Sequence, residues 1–139
     1  MLVHPGGPFW VNKDEGAWSI PKGLIEEGES LLAAAKREFS EETGFEVDGD
    51  FIPLGEMKQA SGKTVHAWAL EKDIDTARIV SNLFELEWPR HSGRILTFPE
   101  IDRGGWFTLS EAKTKIAKGQ RAFIDRLVRK INYTEESPD

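Results

Sequence analysis

The strongest constraint in this sequence is a 23-residue segment, Gly23 to Phe45, whose charge differs sharply from that of the rest of the chain. The segment holds six glutamates against one lysine and one arginine, a net charge of −4. The whole chain of 139 residues has a formal net charge of −6, so the other residues share only −2. Like charges this close together repel, so the fold of the segment has to neutralise or solvate them.

The second half of the segment is predicted to be a helix from Ser30 to Thr43. Ser30 can cap its start, the alanine-rich interior favours a helix, and Gly44 can end it. Three glutamates of such a helix share one face beside its apolar side: Glu38, Glu41 and Glu42. The chain has no cysteine, and an oxygen-only ligand set favours a hard cation, Mg²⁺ or Mn²⁺. The alternative is a solvated acidic helix face that binds nothing.

The wider spacing of this segment resembles the sequence motif of one enzyme family. Gly23 is followed after five residues by Glu29, and after seven more by residues 37–45, which read REFSEETGF. Every position matches the box of the Nudix hydrolase family, G-x5-E-x7-R-E-U-x-E-E-x-G-U, where U is aliphatic or aromatic. The segment WSIPK before the box and the Trp-Phe pair at 106–107 are also similar to family members, so the resemblance spans most of the chain.

This resemblance implies both a fold and an activity. The fold would be of the α/β class, a Nudix-type α/β/α sandwich with a mixed sheet and a loop-helix-loop catalytic box. The activity would be Mg²⁺-dependent hydrolysis, with Mn²⁺ possible, of a phosphoanhydride bond in a nucleoside diphosphate linked to another group. Nucleoside triphosphates or dinucleoside polyphosphates are favoured, and ADP-ribose and the 5′ end of RNA are alternatives. A non-catalytic nucleotide-sensing module is the alternative of another class.

The resemblance also assigns roles within the box. Three residues would hold the metal together with a backbone carbonyl near Gly23: Glu38, Glu41 and Glu42. Either Glu38 or Glu41 would orient or deprotonate the attacking water. Arg37 counts with these catalytic residues, and its expected contribution is an ion pair with Glu29 that holds the loop to the helix.

Two residues outside the box are also expected at the site. Glu100 lies six residues before Trp106, a spacing that resembles dinucleoside polyphosphate hydrolases, and is a candidate for a further metal ligand or base. Asp102 competes for that role, and a loop carboxylate in water is the alternative. Lys22, in the order Pro-Lys-Gly, resembles polyphosphate-cleaving members and is expected to contact phosphate. A solvated loop lysine is the alternative for Lys22.

Aromatic and basic residues elsewhere in the chain supply further candidates for contact with phosphate or base. The candidates are Arg90, Arg94, His4 and Trp10. Arg90 and Arg94 lie in a Pro-Gly loop with Trp88, which favours polyphosphate binding and stacking, or else is a basic surface loop with a buried tryptophan. His66 or Trp68 would replace the stacking tyrosine of dinucleoside polyphosphate hydrolases, or else pack in the core.

Length and composition indicate a single domain, residues 1–133, with a short acidic tail at 134–139. The longest apolar run has five residues, against roughly 20 for a membrane helix, and the start lacks a signal-peptide pattern. We therefore expect a cytoplasmic monomer or homodimer that binds a nucleotide and no membrane. The acidic balance argues against nucleic acid as a partner. Because only 22 residues precede Gly23, we expect either a missing edge strand or a truncated start.

Local patterns predict the remaining secondary structure. Extended segments are expected at 1–4, 9–12, 51–59, 64–70, 84–88 and 106–109, and helices at 111–118 and 121–132. The first of these two helices would follow Ser110 as its cap, and the second would follow Gly119. Strands mixed with helices in unequal blocks indicate an α/β sandwich rather than a regular parallel sheet.

Overall fold

A computed structural model describes residues 1–22, 27–59 and 61–135 of the chain, with side chains as far as Ile131. The described residues form six strands and three α-helices. In chain order these are β1 (Leu2–Pro5), α1 (Leu31–Thr43), β2 (Ile52–Lys58), β3 (Thr64–Ala69), β4 (Leu83–Glu87), β5 (Ile95–Pro99), β6 (Ile101–Gly105), α2 (Leu109–Lys115) and α3 (Arg121–Glu135). No helix among them is long and apolar enough to cross a membrane.

The strands pair as three two-stranded antiparallel sheets, β1 with β6, β2 with β3, and β4 with β5. Two isolated bridges add to this pairing, an antiparallel one between Val3 and Ser19 and a parallel one between Trp18 and Ile116. The α/β class is therefore confirmed. The described residues do not join their strands into one mixed sheet, because two of the three pairings are local hairpins. The arrangement of layers as a sandwich stays a prediction.

The core consists of two hydrophobic clusters that α3 connects. Its buried members are Leu2, Trp18, Ile116 and Ile124 in one cluster, and Leu54, Ala67 and Phe123 in the other. Phe123 and Ile124 are neighbours in α3 and pack into different clusters, while the half-buried Ile20 packs against both. The segment that contains Ile20 leads directly to the predicted Nudix box, so the core anchors the residues that precede the box.

Most of the predicted elements form where the local patterns place them. Helix α1, the β2–β3 hairpin, β1, β4 and α3 match, with shifts of at most three residues at their ends. Two predicted extended segments are wrong: residues 9–12 form turns, and 106–108 have no regular structure. Gly7, with a φ of 93°, reverses the chain before residue 9, and α2 begins at Leu109 under a cap from Thr108 rather than Ser110.

Candidate functional site

Helix α1 carries the predicted glutamates, and local hydrogen bonds fix both of its ends. The Ser30 hydroxyl accepts a hydrogen bond from the Ala33 N–H at 3.1 Å. Gly44 has a left-handed φ of 78°, and its N–H donates to the Ser40 carbonyl at 2.8 Å. A Cβ at Gly44 would lie 3.0 Å from the Val80 carbonyl oxygen, so the chain has to turn tightly against the next segment. The last two turns of α1 therefore have a defined position.

Arg37 connects the loop before α1 to two glutamates of the helix. Its Nε donates to Glu29 at 2.8 Å, which is the predicted ion pair between loop and helix. Its Nη1 donates to Glu38 at 2.8 Å and to Glu41 at 3.1 Å. These hydrogen bonds, above all the one to Glu29, raise the pKa of Arg37 further above its usual range. The guanidinium thus orients three carboxylates at once.

Glu42 is a buried acid, with only 6% of its surface exposed. Its Oε2 accepts a hydrogen bond from the backbone N–H of Lys22 at 3.2 Å. Burial above all, and then the charges of Glu38 and Glu100, raise the pKa of Glu42 to about 8, against the lowering effect of the Lys22 hydrogen bond. Without a cation, Glu42 is therefore mostly protonated at pH 7.

Main-chain hydrogen bonds place Glu100 beside α1. Its N–H donates to the Asn82 carbonyl at 2.9 Å, and the Asn82 N–H donates to the Glu41 carbonyl at 2.8 Å. The Glu100 charge raises the pKa of both Glu38 and Glu42, so its carboxylate lies within electrostatic range of the helix. We call Glu38, Glu41, Glu42 and Glu100 the glutamate cluster.

Asp102 and His4 contact each other inside the fold. The His4 ring is fully buried, with Nδ1 2.9 Å from Asp102 Oδ1 and Nε2 2.6 Å from the Lys13 carbonyl oxygen. The Trp18 ring contacts it edge to face at 5.1 Å. His4 thus has no surface that a nucleotide base can reach, and Asp102 is engaged by His4 and by Arg103. This favours Glu100 over Asp102 as the added acid.

The chemistry of the glutamate cluster fits a hard divalent cation. All of its donors are carboxylate oxygens, and a buried acid with two carboxylates nearby ionises only when positive charge offsets the repulsion and the loss of hydration. In the part of the chain that the structure describes, no three acidic or histidine side chains converge as a ready metal site. Arg37 holds Glu38 and Glu41 instead. The predicted carbonyl ligand at Gly23 lies outside the described residues.

A cavity of about 470 Å³ opens next to Glu38, within the size range of small-molecule sites. It lies between the loop with Lys22, helix α1 and the β2–β3 hairpin, whose lining residues include Lys63, His66 and Trp68. His66 also lies near the exposed Glu56, at 3.5 Å. The cavity next to Glu38 is therefore lined by two cations, Lys22 and Lys63, and by one indole ring.

The other predicted substrate-binding residues lie outside this cavity. Trp10 is 38% exposed, with the Lys13 Nζ 5.0 Å above its ring. Arg90 and Arg94 are exposed in the turn between β4 and β5, and the Arg90 guanidinium stacks 6.0 Å from the Phe9 ring. None of these three residues lines the cavity beside Glu38.

Lys63 is the cavity residue that the sequence patterns missed. In the sequence it is one residue of a hairpin turn, and its N–H and carbonyl serve that turn, with the Gln59 N–H donating to the Lys63 carbonyl at 2.7 Å. No local sequence pattern indicates that this turn lies close to α1, because the contact depends on how the hairpin packs against the helix.

Comparison with known proteins places the chain in a sequence family. The NUDIX domain family matches residues 4–127, which include the described glutamates and the cavity. The chain is 41% identical over a 147-residue alignment to the RNA pyrophosphohydrolase of Caulobacter vibrioides, covering 92% of this chain and 80% of that protein.

Shorter matches involve two further proteins. The RNA pyrophosphohydrolase of Novosphingobium aromaticivorans is 49% identical over 49 residues, 32% of this chain and 30% of that protein. Nudix hydrolase 10 of Arabidopsis thaliana is 49% identical over 39 residues, 28% of this chain and 13% of that protein. Comparison with solved structures gives no significant match.

Proposed function

The chain belongs to the Nudix hydrolase family, and we propose that it is a Mg²⁺-dependent pyrophosphohydrolase. Its substrate would be a nucleoside triphosphate or a dinucleoside polyphosphate. The observation that carries the proposal is the glutamate cluster beside a nucleotide-sized cavity that also contains Lys22 and Lys63. A polyphosphate needs cationic groups around it, whereas the acids need a metal ion to bring them close to such an anion.

The metal would be held by Glu38, Glu41 and Glu42, with a backbone carbonyl near Gly23 completing the set. When bound, Mg²⁺, or Mn²⁺ in its place, supplies a Lewis acid for the phosphate oxygens and lowers the pKa of coordinated water. Glu42 contributes a carboxylate whose burial makes it unfavourable as a free anion, which favours cation binding at this position.

The remaining groups would position the reactants. Glu38 or Glu41 would accept the proton of the attacking water on a carboxylate oxygen, and Glu100 is the further candidate for a base or ligand. Arg37 would keep Glu38 and Glu41 oriented through its hydrogen bonds. Lys22 and Lys63 would contact the phosphates from two sides of the cavity, and Trp68 would offer a ring to the base.

The names of two relatives favour a second candidate, the 5′-polyphosphate end of RNA. That substrate carries the same phosphoanhydride bond, so the roles of the glutamates and lysines would not change. ADP-ribose and a non-catalytic sensing role stay as further alternatives. The location in the cytoplasm and the state as monomer or homodimer stay predictions from the sequence.

The test is product release over a panel of nucleotides with Mg²⁺: nucleoside triphosphates, dinucleoside polyphosphates, ADP-ribose and a 5′-triphosphorylated RNA. We expect turnover in the wild type and a loss of about 100-fold or more in kcat/KM for Glu42→Gln, since loss of a metal-orienting group alone costs 10–100-fold. Glu85→Gln is the matched control, because Glu85 is exposed on the β4–β5 hairpin.

Different outcomes would change different parts of the proposal. Absence of turnover on every substrate, or full activity of Glu42→Gln, would contradict the catalytic proposal. Turnover of ADP-ribose alone would contradict the proposed substrate class and leave the proposed roles of the glutamates unchanged.

A further inference from the structure

One surface at the end of the β4–β5 hairpin combines exposed rings with cations. We call it the aromatic–basic surface, and it consists of Phe9, Trp10, Lys13, Trp88, Arg90 and Arg94. The two segments that form it are 75 or more residues apart in sequence. Direct ring contact joins them, since the Phe9 and Trp88 rings lie 5.2 Å apart at 80°.

The cations of this surface stack on its rings. The Arg90 guanidinium lies 6.0 Å from the centre of the Phe9 ring, and the Lys13 ammonium lies 5.0 Å from that of Trp10. The Trp88 N–H donates to the Arg94 carbonyl at 2.9 Å, which closes the turn and places Arg94 beside Trp88. Cation and ring are thus presented together, an arrangement that suits a ligand with both a base and a phosphate.

Nearby acids do not neutralise these cations. Asp14 is bound by the Lys115 ammonium and the Trp18 indole N–H, and Glu87 accepts a hydrogen bond from the His91 N–H at 2.9 Å. Within the described residues, Lys13, Arg90 and Arg94 form no ion pair with a carboxylate. Their charges are available to an anion.

Phe9 and Trp10 are exposed on a loop whose backbone is anchored. Phe9 is 46% exposed, although its loop is anchored at both ends. The Gly6 N–H donates to the Glu100 carbonyl at 2.7 Å, and the Lys13 carbonyl oxygen lies 2.6 Å from the buried His4 ring. Large apolar groups that remain exposed on an anchored loop indicate a contact surface for a partner.

The distance to the glutamate cluster suits a nucleotide chain. Arg94 immediately precedes β5 and Glu100 follows it, so the Arg94 end of the surface lies about 17 Å from Glu100 at about 3.4 Å per strand residue. The Phe9 end lies nearer, because the N–H of Gly6, three residues before Phe9, donates to the Glu100 carbonyl at 2.7 Å. Stacked nucleotides of one strand also repeat at about 3.4 Å, so about five of them span the distance from Glu100 to Arg94. A surface that extends this far from Glu100 suits a chain of nucleotides.

We propose that the aromatic–basic surface binds single-stranded RNA over about five nucleotides downstream of a 5′-polyphosphate end placed at the glutamate cluster. This inference rests on the proposed function and selects RNA as the substrate class of that site. Arg90, Arg94 and Lys13 contact backbone phosphates, and Phe9 and Trp10 stack with bases. The acidic total charge does not oppose such binding, because the excess acid is concentrated in the box.

The test measures binding without catalysis. A 12-nucleotide RNA with a 5′-monophosphate and a 3′ fluorophore has no phosphoanhydride bond, so its fluorescence anisotropy reports affinity alone, in Mg²⁺ and 50 mM salt. We expect the Arg90→Ala/Arg94→Ala double variant to bind about tenfold more weakly than wild type, and Phe9→Ala at least about fivefold more weakly. The salt dependence of log Kd for the double variant should be shallower by about 1.4, for two lost phosphate contacts.

The control is Arg121→Ala/Arg129→Ala, which removes the same charge from exposed positions of α3. We expect this control to bind the 12-mer like wild type, and a two-nucleotide RNA to show no difference between any of the proteins. Equal weakening by both double variants would overturn the inference, as would equal affinity of wild type for the two RNA lengths. Failure of all turnover with intact length-dependent binding would refute the proposed function and leave the surface as an RNA site.

Discussion

Glu42 shows how one residue combines structural burial with chemistry. Its side chain is buried, accepts a hydrogen bond from the Lys22 N–H, and has Glu38 and Glu100 as like-charged neighbours. The pKa of about 8 means that the metal-free protein prefers the neutral acid. A divalent cation would reverse that preference, because it supplies the missing positive charge.

The raised pKa of Glu42 predicts a pH dependence of stability in metal-free buffer. Between the ordinary glutamate pKa and about 8, the unfolded chain releases this proton and the folded chain keeps it. The free energy of unfolding should therefore fall as the pH rises through this window. Urea denaturation at pH 5, 6, 7 and 8 with EDTA measures it.

Glu42→Gln removes the titrating group and keeps a similar shape. We expect this variant to lose most of the fall in stability between pH 5 and 8, and Glu85→Gln to retain it. A wild-type stability that rises over this window would show that Glu42 is ionised in the folded protein.

His4 is the second residue whose role depends on its surroundings. A histidine near aromatic residues was a reasonable candidate for base contact, but both of its ring nitrogens face oxygen atoms inside the fold. Asp102 on β6 and the Lys13 carbonyl on the loop are both bound to this ring. His4 therefore connects the first strand, β6 and the loop of the aromatic–basic surface.

Among the elements, α2 shows how a cap determines the start of a helix. Thr108 accepts a hydrogen bond from the Glu111 N–H at 3.2 Å, and the Glu111 carboxylate accepts one from the Thr108 N–H at 3.1 Å. This reciprocal pair makes Thr108 the cap, two residues before the predicted cap Ser110, and the helix begins at Leu109. Threonine and serine can both cap a helix, so the sequence alone does not show which of Thr108 and Ser110 is the cap.

Alanine substitution of each candidate cap shows which of the two stabilises the helix. Thr108→Ala should lower the free energy of unfolding by about 1 kcal/mol, since it removes a cap. Ser110→Ala lies inside the first turn and should change it by less than about 0.5 kcal/mol. Chemical denaturation compares the free energies of unfolding of the two variants. A larger loss for Ser110→Ala would show that Ser110 is the cap.

For the whole molecule, the distribution of charge matters more than its total. The net charge of −6 argued against a polyanionic partner, yet two-thirds of it lies in the box segment. The described cations of the cavity and of the aromatic–basic surface lie elsewhere. A metal ion at the glutamate cluster would offset most of the local excess of acid and leave these cations available to a polyanion.

Binding of Mg²⁺ should stabilise the whole fold, because the ion binds the folded chain and not the unfolded one. At about 100 times its Kd, a ligand adds about 2.7 kcal/mol, so we expect the thermal midpoint to rise by roughly 5 °C or more. Scanning calorimetry with Mg²⁺ or EDTA measures the shift. Glu85→Gln should show the full rise and Glu42→Gln little of it, whereas an equal rise in both would place the ion elsewhere.

Helix α1, its two caps, the glutamate spacing and the β2–β3 hairpin could be predicted from the sequence, because periodicity, capping and turn chemistry act within a few residues. Family membership followed from the same local spacing. The spacing to Trp106 had made Glu100 a candidate, but the choice of Glu100 over Asp102, the position of Lys63 at the cavity and the burial of His4 against Asp102, 98 residues away, came from packing. Such contacts depend on how distant segments fill a common core, a property that no short stretch of sequence carries.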